Sequence, residues 1–127
     1  MKVPVKESDL PWTVWFEGTS REVRGKAVCD VGGASKIGVG VLELSPGCTT
    51  EPAHYHTLEE EHLYVLSGAV TLYLGSEVLT LEPGSYVHFP AGQAVFHHLK
   101  NHTSERVRYL MIGERIEDDE VVYPTDA

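Results

Sequence analysis

The sequence predicts a single all-β domain of the barrel or sandwich class. Short apolar runs rich in Val, Ile, Leu, Thr and Tyr recur along most of the chain, and Gly or Pro stands at nearly every break between them. Many short strands at such spacing are typical of sandwiches and barrels. No stretch keeps a 3.6-residue apolar period past the next Gly or Pro, so we expect almost no helix. A chain of 127 residues fits one domain.

The predicted strands follow one another closely. In chain order the apolar runs are 22–31, 37–44, 61–66, 69–74, 77–81, 86–89 and 106–113. In the last of these runs apolar Val107, Tyr109 and Met111 alternate with their neighbours, which is the two-residue period of a strand. The pattern therefore continues almost without interruption through the middle of the chain.

We divide the single domain, residues 1–127, into three parts. They are an N-terminal arm of residues 1–20, a barrel over residues 23–112, and an acidic C-terminal tail of residues 113–127. The arm contains Trp12, Trp15 and Phe16, which are costly to expose to water. We expect the arm to cover either its own barrel or that of a second subunit, and a homodimer is our hypothesis.

Composition argues against several classes of partner. Asp and Glu number 19 against 10 Lys and Arg, which gives a formal charge of −9. This charge repels phosphate backbones and anionic lipid surfaces, so we expect no nucleic-acid and no membrane partner. No run approaches the roughly 18 apolar residues of a membrane span, and the N-terminus lacks a signal-peptide core, so we expect a cytoplasmic protein. Two cysteines, Cys29 and Cys48, are too few and too far apart for a disulfide framework, and we expect reduced thiols.

Side chains that can bind a divalent cation are concentrated in residues 47–68. His54, His56 and one glutamate of the run 59–61 fall close together, directly before an apolar run. A later segment, 96–101, reads FHHLKN and adds two more histidines. Imidazole and carboxylate groups are common ligands of transition metals.

Strand alternation selects among the residues of the first segment. Residues two apart in a strand point to the same face, so His54 and His56 project together. Glu61 shares a face with Leu63 and Val65, which are suited to the interior. The neighbouring His62 then faces outward, so Glu61 is the predicted interior ligand.

The same reasoning favours His97 over His98 in the later segment. His98 shares its face with Lys100, and a lysine rarely points into a closed apolar barrel. Three imidazoles and one carboxylate then converge. Such a set suits Fe(II), Mn(II), Ni(II), Co(II) or Zn(II), with bonds of about 2.0–2.2 Å and one or two positions open for water or substrate.

Several of these residues also have structural interpretations. Any single histidine can serve as a hydrogen-bonded structural residue, and Glu59 and Glu60 fit a solvated acidic turn. Asn101 either orients the strand of His97 or closes a turn. We interpret the remaining histidines as surface residues or neighbours of the ligands; they are His62, His88, His98 and His102.

The candidate residues fall into two motifs that resemble those of the cupin family. The first motif is a glycine, His-x-His, a glutamate and a second glycine; it is matched by Gly47, His54, His56, Glu61 and Gly68, with six residues instead of five after the first glycine. The second motif, G-x5-P-x-G-x2-H-x3-N, is matched by Gly84, Pro90, Gly92, His97 and Asn101, with four residues instead of two before the histidine. The His-x3-Asn spacing supports His97 as the ligand.

The resemblance implies a double-stranded β-helix, or jelly-roll, cupin barrel that frequently dimerises. It also implies a divalent transition metal (Fe, Mn, Ni, Co or Zn) held by three histidines and one glutamate, here His54, His56, His97 and Glu61. No single reaction follows, because cupins include dioxygenases, decarboxylases, isomerases, lyases, sugar-binding regulators and storage proteins.

Two functions remain open at this point. The first is a metal-dependent cupin enzyme acting on a small polar molecule, with Glu61 as metal ligand or catalytic base. The second is a non-catalytic module that binds or senses a small ligand, a sugar or an organic acid, and keeps the metal as a structural component.

Overall fold

The computed structural model describes residues 4–34 and 36–124, which form eleven strands and one short helix. The helix is α1 (Val28–Gly32), and one 3-10 turn spans Glu7–Asp9. The strands are β1 (Thr13–Trp15), β2 (Val23–Lys26), β3 (Ile37–Leu44), β4 (Tyr55–His56), β5 (Glu61–Ser67), β6 (Val70–Leu74), β7 (Glu77–Leu81), β8 (Tyr86–Phe89), β9 (His97–Lys100), β10 (Val107–Glu114) and β11 (Val121–Val122). The predicted all-β class is confirmed. Within the described parts of the chain, no helix has the length and apolar character needed to cross a bilayer.

Antiparallel pairing arranges the strands in three sheets. A six-stranded sheet has the order β1-β2-β3-β10-β5-β8, a three-stranded sheet has the order β7-β6-β9, and β11 pairs with β4. The hydrophobic core takes residues from both larger sheets, among them Leu63 and Val65 from β5 and Leu72 from β6. Two sheets enclosing one core are the architecture of a jelly roll. Both cysteines, Cys29 and Cys48, are free and buried, as expected.

The alternation predicted for β5 is confirmed by its burial. Leu63 and Val65 are fully buried, whereas Tyr64 and Leu66 are 42% and 39% exposed. This register also fixes the direction of Glu61 at the start of the strand, because its side chain points to the same face as Leu63 and Val65.

The prediction of one continuous strand over residues 22–31 is wrong in its second half. β2 ends at Lys26, and α1 follows. The helix is capped by Gly33, whose φ of 89° is in the left-handed region that glycine adopts without strain. A helix of five residues is too short to show a 3.6-residue period, which explains why the sequence pattern did not reveal it.

The described part of the N-terminal arm, residues 4–20, contacts its own barrel. β1 pairs with β2 and extends the six-stranded sheet. The side-chain cations of Arg24 and Lys26 each lie 4.2 Å from the centroid of the Trp12 ring. Trp15 and Phe16 nevertheless remain 44% and 52% exposed. Part of the arm therefore packs on its own chain, while Trp15 and Phe16 remain accessible.

The described part of the acidic tail, residues 113–124, folds back onto the barrel. β11 pairs with β4, so that Val121 lies opposite His56. The backbone of Thr57 donates a hydrogen bond to the carbonyl oxygen of Glu120, at 3.0 Å. The tail thereby lies against the segment that carries the first two candidate ligands.

Candidate metal centre

Backbone pairing brings the two histidine-bearing segments together. His54 precedes β4, and His97 begins β9. The N–H of His54 donates to the carbonyl oxygen of His97 at 3.2 Å, and the N–H of His97 donates to that of His54 at 3.1 Å. The two motifs, distant in sequence, thus become neighbours through two backbone hydrogen bonds.

The candidate ligand atoms have the spacing that a metal ion requires. One ligand-type atom from each of His54, His56 and Glu61 lies within 4.8 Å of the others. Nε2 of His56 is 3.1 Å from Oε1 of Glu61, and Nε2 of His97 is 3.9 Å from the same oxygen. Two atoms each bound about 2.1 Å from one ion at the tetrahedral angle are about 3.4 Å apart. His54, His56 and Glu61 therefore form a cluster of candidate ligands, and His97 lies next to it through its approach to Glu61.

The two adjacent histidines of the later segment point in different directions. His97 is 5% exposed, and its ring stacks on that of Phe89 with 3.9 Å between centroids. His98 faces away, with its Nε2 at 3.6 Å from a carboxylate oxygen of Glu51. The structure therefore places His97, and not His98, beside Glu61.

Two of the imidazoles have surroundings that bear on metal binding. Nδ1 of His54 lies 3.2 Å from the carbonyl oxygen of Pro52, which can only accept, so Nδ1 is the donor in this contact. Burial, reinforced by the nearby His54, lowers the pKa of His97 to about 4. Its imidazole is accordingly neutral at neutral pH, the form that binds metals.

The third imidazole forms an ion pair in the metal-free site. The hydrogen bond to Glu61, together with that to Asp119, outweighs burial and raises the pKa of His56 to about 9. Burial alone would raise the pKa of Glu61, but the hydrogen bond from His56 and the charge on that ring lower it. Metal binding at this site must therefore release a proton from His56.

Asp119 is a residue of this site that sequence reasoning missed. Its Oδ2 is 2.7 Å from Nδ1 of His56, and its Oδ1 accepts the backbone N–H groups of Leu58 and Glu59, both at 2.9 Å. Burial raises the pKa of Asp119, but these hydrogen bonds outweigh burial and lower it. The carboxylate directs Nε2 of His56 toward Glu61, as carboxylates commonly do for metal-binding histidines. Nothing in the tail sequence distinguishes Asp119 from its acidic neighbours.

Asn101 closes a turn at the end of β9. Its side chain is fully buried. The amide nitrogen donates to the carbonyl oxygens of Leu44 at 3.0 Å and Glu105 at 2.7 Å, and the amide oxygen accepts the N–H of Thr103 at 2.9 Å. Of the two roles expected for Asn101, the turn is the one observed.

Three of the four candidate ligands, His56, Glu61 and His97, line a cavity of about 310 Å³. This volume is at the lower end of the range of about 300–1,000 Å³ for ligand sites. Besides His56, Glu61 and His97, the walls are formed by Tyr55, Glu59, Leu74, His88, Phe89, Pro90, Gln93 and Val95. None of the described residues that line it is Lys or Arg. The cavity can therefore bring a small, polar molecule next to the ligand atoms.

Two solved structures are similar to this chain over most of its length. A proposed sugar phosphate isomerase from Acidithiobacillus ferrooxidans superposes with a TM-score of 0.81 and 32% identity, over 91% of this chain and 73% of that one. The polyketide cyclase RemF from Streptomyces resistomycificus superposes with a TM-score of 0.82 and 23% identity, over 98% of this chain and 86% of that one. At that identity RemF supports the jelly-roll fold alone.

A curated relative and a family model complete the comparison. Quercetin 2,3-dioxygenase of Bacillus subtilis (strain 168) is 32% identical over 60 residues, which are 47% of this chain and 18% of that protein. The chain thus spans less than a fifth of the length of this relative. The model of the cupin domain family matches residues 40–113, more than half of the chain, and this range includes both motifs. The chain therefore belongs to the cupin family.

Proposed function

We propose that this protein is a divalent-metal-dependent cupin enzyme that moves a proton next to a carbonyl group in a small, uncharged hydroxy-carbonyl compound. One observation carries the proposal. His56, Glu61 and His97 are at once candidate metal ligands and walls of a cavity that also contains a further carboxylate, Glu59. A purely structural metal would not need ligands that face a cavity.

The metal would be held by His54, His56, His97 and Glu61. A divalent ion bound there supplies a Lewis acid that polarises a carbonyl or hydroxyl oxygen of the substrate. Oε1 of Glu61 lies within 4 Å of ring nitrogens from both His56 and His97, at 3.1 and 3.9 Å, which supports a ligand role for this carboxylate. We therefore assign Glu61 to the metal rather than to proton transfer.

Glu59 is the group we assign to proton transfer. Its Oε2 accepts the backbone N–H of Ile116 at 2.7 Å, which anchors the carboxylate on the cavity wall. Its Oε1 is 3.7 Å from Nδ1 of His56 and remains available to accept a proton from the substrate. Tyr55, on the same wall, supplies a hydroxyl that can orient the substrate or exchange a proton with it.

The cavity walls favour an uncharged substrate. The described wall residues offer two carboxylates but no Lys or Arg, so a phosphate or carboxylate group meets none of the guanidinium or ammonium groups that usually bind it. Leu74, Phe89 and Val95 provide an apolar wall. A hydroxy-ketone or an unphosphorylated sugar therefore matches the cavity better than a phosphorylated one.

Solvent exchange provides the test. Untagged protein loaded with a single divalent metal is incubated in D₂O with a panel of hydroxy-ketones and aldoses, and deuterium incorporation is followed by NMR. We expect exchange at the carbon next to the carbonyl, loss of exchange when the metal is removed, and strong loss in Glu59→Gln with unchanged metal content. Glu117→Gln, a matched change at an exposed position, should leave exchange intact.

Other outcomes would identify a different function. Metal-dependent exchange that survives Glu59→Gln would remove Glu59 from proton transfer. Oxygen consumption without exchange would favour a dioxygenase. A compound that raises the melting temperature but is never converted would favour the non-catalytic binding or sensing module.

We also propose that the protein acts as a cytoplasmic homodimer without nucleic-acid or membrane partners. The exposed Trp15 and Phe16 on the arm support an interface there, and the charge of −9 opposes binding to polyanions. A monomeric mass in sedimentation at micromolar concentration would contradict the dimer.

A further inference from the structure

A second group of metal-ligand side chains lies on the outer face of the barrel. It consists of Glu60, His62 and His88, whose ligand-type atoms all lie within 4.8 Å of one another. None of the three belongs to the inner set of candidate ligands. Strand alternation directs His62 away from the core, so this cluster faces solvent while Glu61 faces the cavity.

The strand register builds the cluster. β5 and β8 are antiparallel neighbours, and His62 lies directly opposite His88. Their rings stack with 4.8 Å between centroids and an angle of 12° between planes. Side chains opposite each other in an antiparallel pair have Cβ atoms about 4.5–5.5 Å apart, so both imidazoles reach the same point above the sheet.

Both imidazoles present Nε2 to a single carboxylate. Nε2 of His62 is 3.4 Å from Oε1 of Glu60, and Nε2 of His88 is 3.0 Å from Oε2. Two ligand atoms bound to the same ion, each at about 2.1 Å, are about 3.0–3.4 Å apart. The two observed distances are close to this range. A cation can therefore take the place of the shared protons without moving the strands.

Tyr86 fixes the orientation of one of the rings. Its hydroxyl oxygen is 2.6 Å from Nδ1 of His62. A hydrogen bond to the remote ring nitrogen holds a metal-binding histidine in one tautomer and leaves the other nitrogen for the ion. The outer cluster thus contains a supporting contact as well as three ligand groups.

We propose that Glu60, His62 and His88 form a second divalent-metal site, separate from the inner one. Two imidazoles and one carboxylate suit Zn²⁺, Ni²⁺ or Cu²⁺, and solvent exposure leaves the remaining positions to water. The side chains of His62 and His88 are 30% and 40% exposed, so an ion can enter directly from solution. His88 also lines the cavity, so the outer site borders the cavity wall.

Zinc stoichiometry tests the proposal without reference to any reaction. Untagged protein is stripped with a chelator, equilibrated with Zn²⁺ by dialysis and subjected to elemental analysis. We expect two zinc ions per chain in the parent protein and one in the double variant His62→Ala with His88→Ala. The variant His54→Ala with His97→Ala should keep one ion, at the outer site. His102→Ala, at another exposed histidine, should keep two.

A more conservative variant separates a loss of metal binding from a loss of folding. Glu60→Gln preserves size and should weaken zinc binding at the outer site by about tenfold or more, since even the loss of a supporting hydrogen bond costs that much. Circular dichroism confirms that each variant is folded. The proposal is overturned if the His54 and His97 double variant binds no zinc, or if the His62 and His88 double variant binds as many ions as the parent.

Discussion

Replacing Asp119 by Asn should weaken metal binding at the inner site by about 10–100-fold. The carboxylate accepts one hydrogen bond from His56, at 2.7 Å, and two from the backbone N–H groups of Leu58 and Glu59, at 2.9 Å each. An amide offers only one oxygen for these contacts. If that oxygen keeps the two backbone donors, the NH₂ group faces Nδ1 of His56. The imidazole must then carry its proton on Nε2, the nitrogen that faces Glu61.

If the amide that replaces the carboxylate is turned the other way, its contacts with the backbone become unfavourable. Its NH₂ group would then meet two backbone N–H donors, and the side chain of Asp119 is only 7% exposed, so water cannot easily compensate. A loss of 10–100-fold in affinity corresponds to about 1.4–2.7 kcal/mol. The tail stays attached through the pairing of β11 with β4, so the change should act on binding more than on folding.

Competition with a chromophoric chelator for Zn²⁺ measures this loss. The experiment uses protein that carries His62→Ala and His88→Ala, so that only the inner site is titrated. Asp118→Asn is the matched control, since it makes the same charge change at an exposed neighbour. An affinity for Asp119→Asn within twofold of the parent's would refute the reasoning about the tautomer of His56.

Three further predictions concern stability and the inner site. The pKa of His97 is about 4, below the value of about 6.5 in an unfolded chain, so the stability of metal-free protein should fall as pH drops from 6.5 to 4. The pKa of His56 is about 9, so stability should also fall as pH rises from 6.5 to 9. Urea unfolding across this pH range measures both trends. Asn101→Ala should lower the free energy of unfolding by at least about 1–3 kcal/mol, because buried backbone groups lose their partners. Gly113→Ala would place a methyl 3.3 Å from Cγ of Glu61, so chelator competition should show weaker zinc binding than in the parent but a smaller loss than for Asp119→Asn.

The directions of the inner candidate ligands could be predicted from sequence because they depend on local strand geometry. Alternation along β5 is a property of consecutive residues, so burial of Leu63 and Val65 determined the direction of Glu61. Likewise, Lys100 on the face of His98 was enough to favour His97 as the interior residue. The resemblance to the cupin motifs predicted that the segment of His54 and the segment of His97 lie side by side. The structure shows this as the backbone bridge between these two residues.

The features that sequence reasoning missed depend on tertiary contacts. Asp119 is 63 positions from His56, and only the fold of the tail distinguishes it from other acidic residues. The outer cluster exists because strand pairing places His62 opposite His88. The sequence of either strand alone does not indicate this pairing. α1 is too short for a periodic pattern.

Anomalous diffraction from zinc-loaded crystals tests the central claim most directly. Data collected on both sides of the zinc absorption edge locate each bound ion without assumptions about its ligands. We expect a peak about 2.0–2.2 Å from a ring nitrogen of each of His54, His56 and His97 and from Oε1 of Glu61. Crystals that contain zinc by elemental analysis, yet show no anomalous peak among these four side chains, would contradict the account.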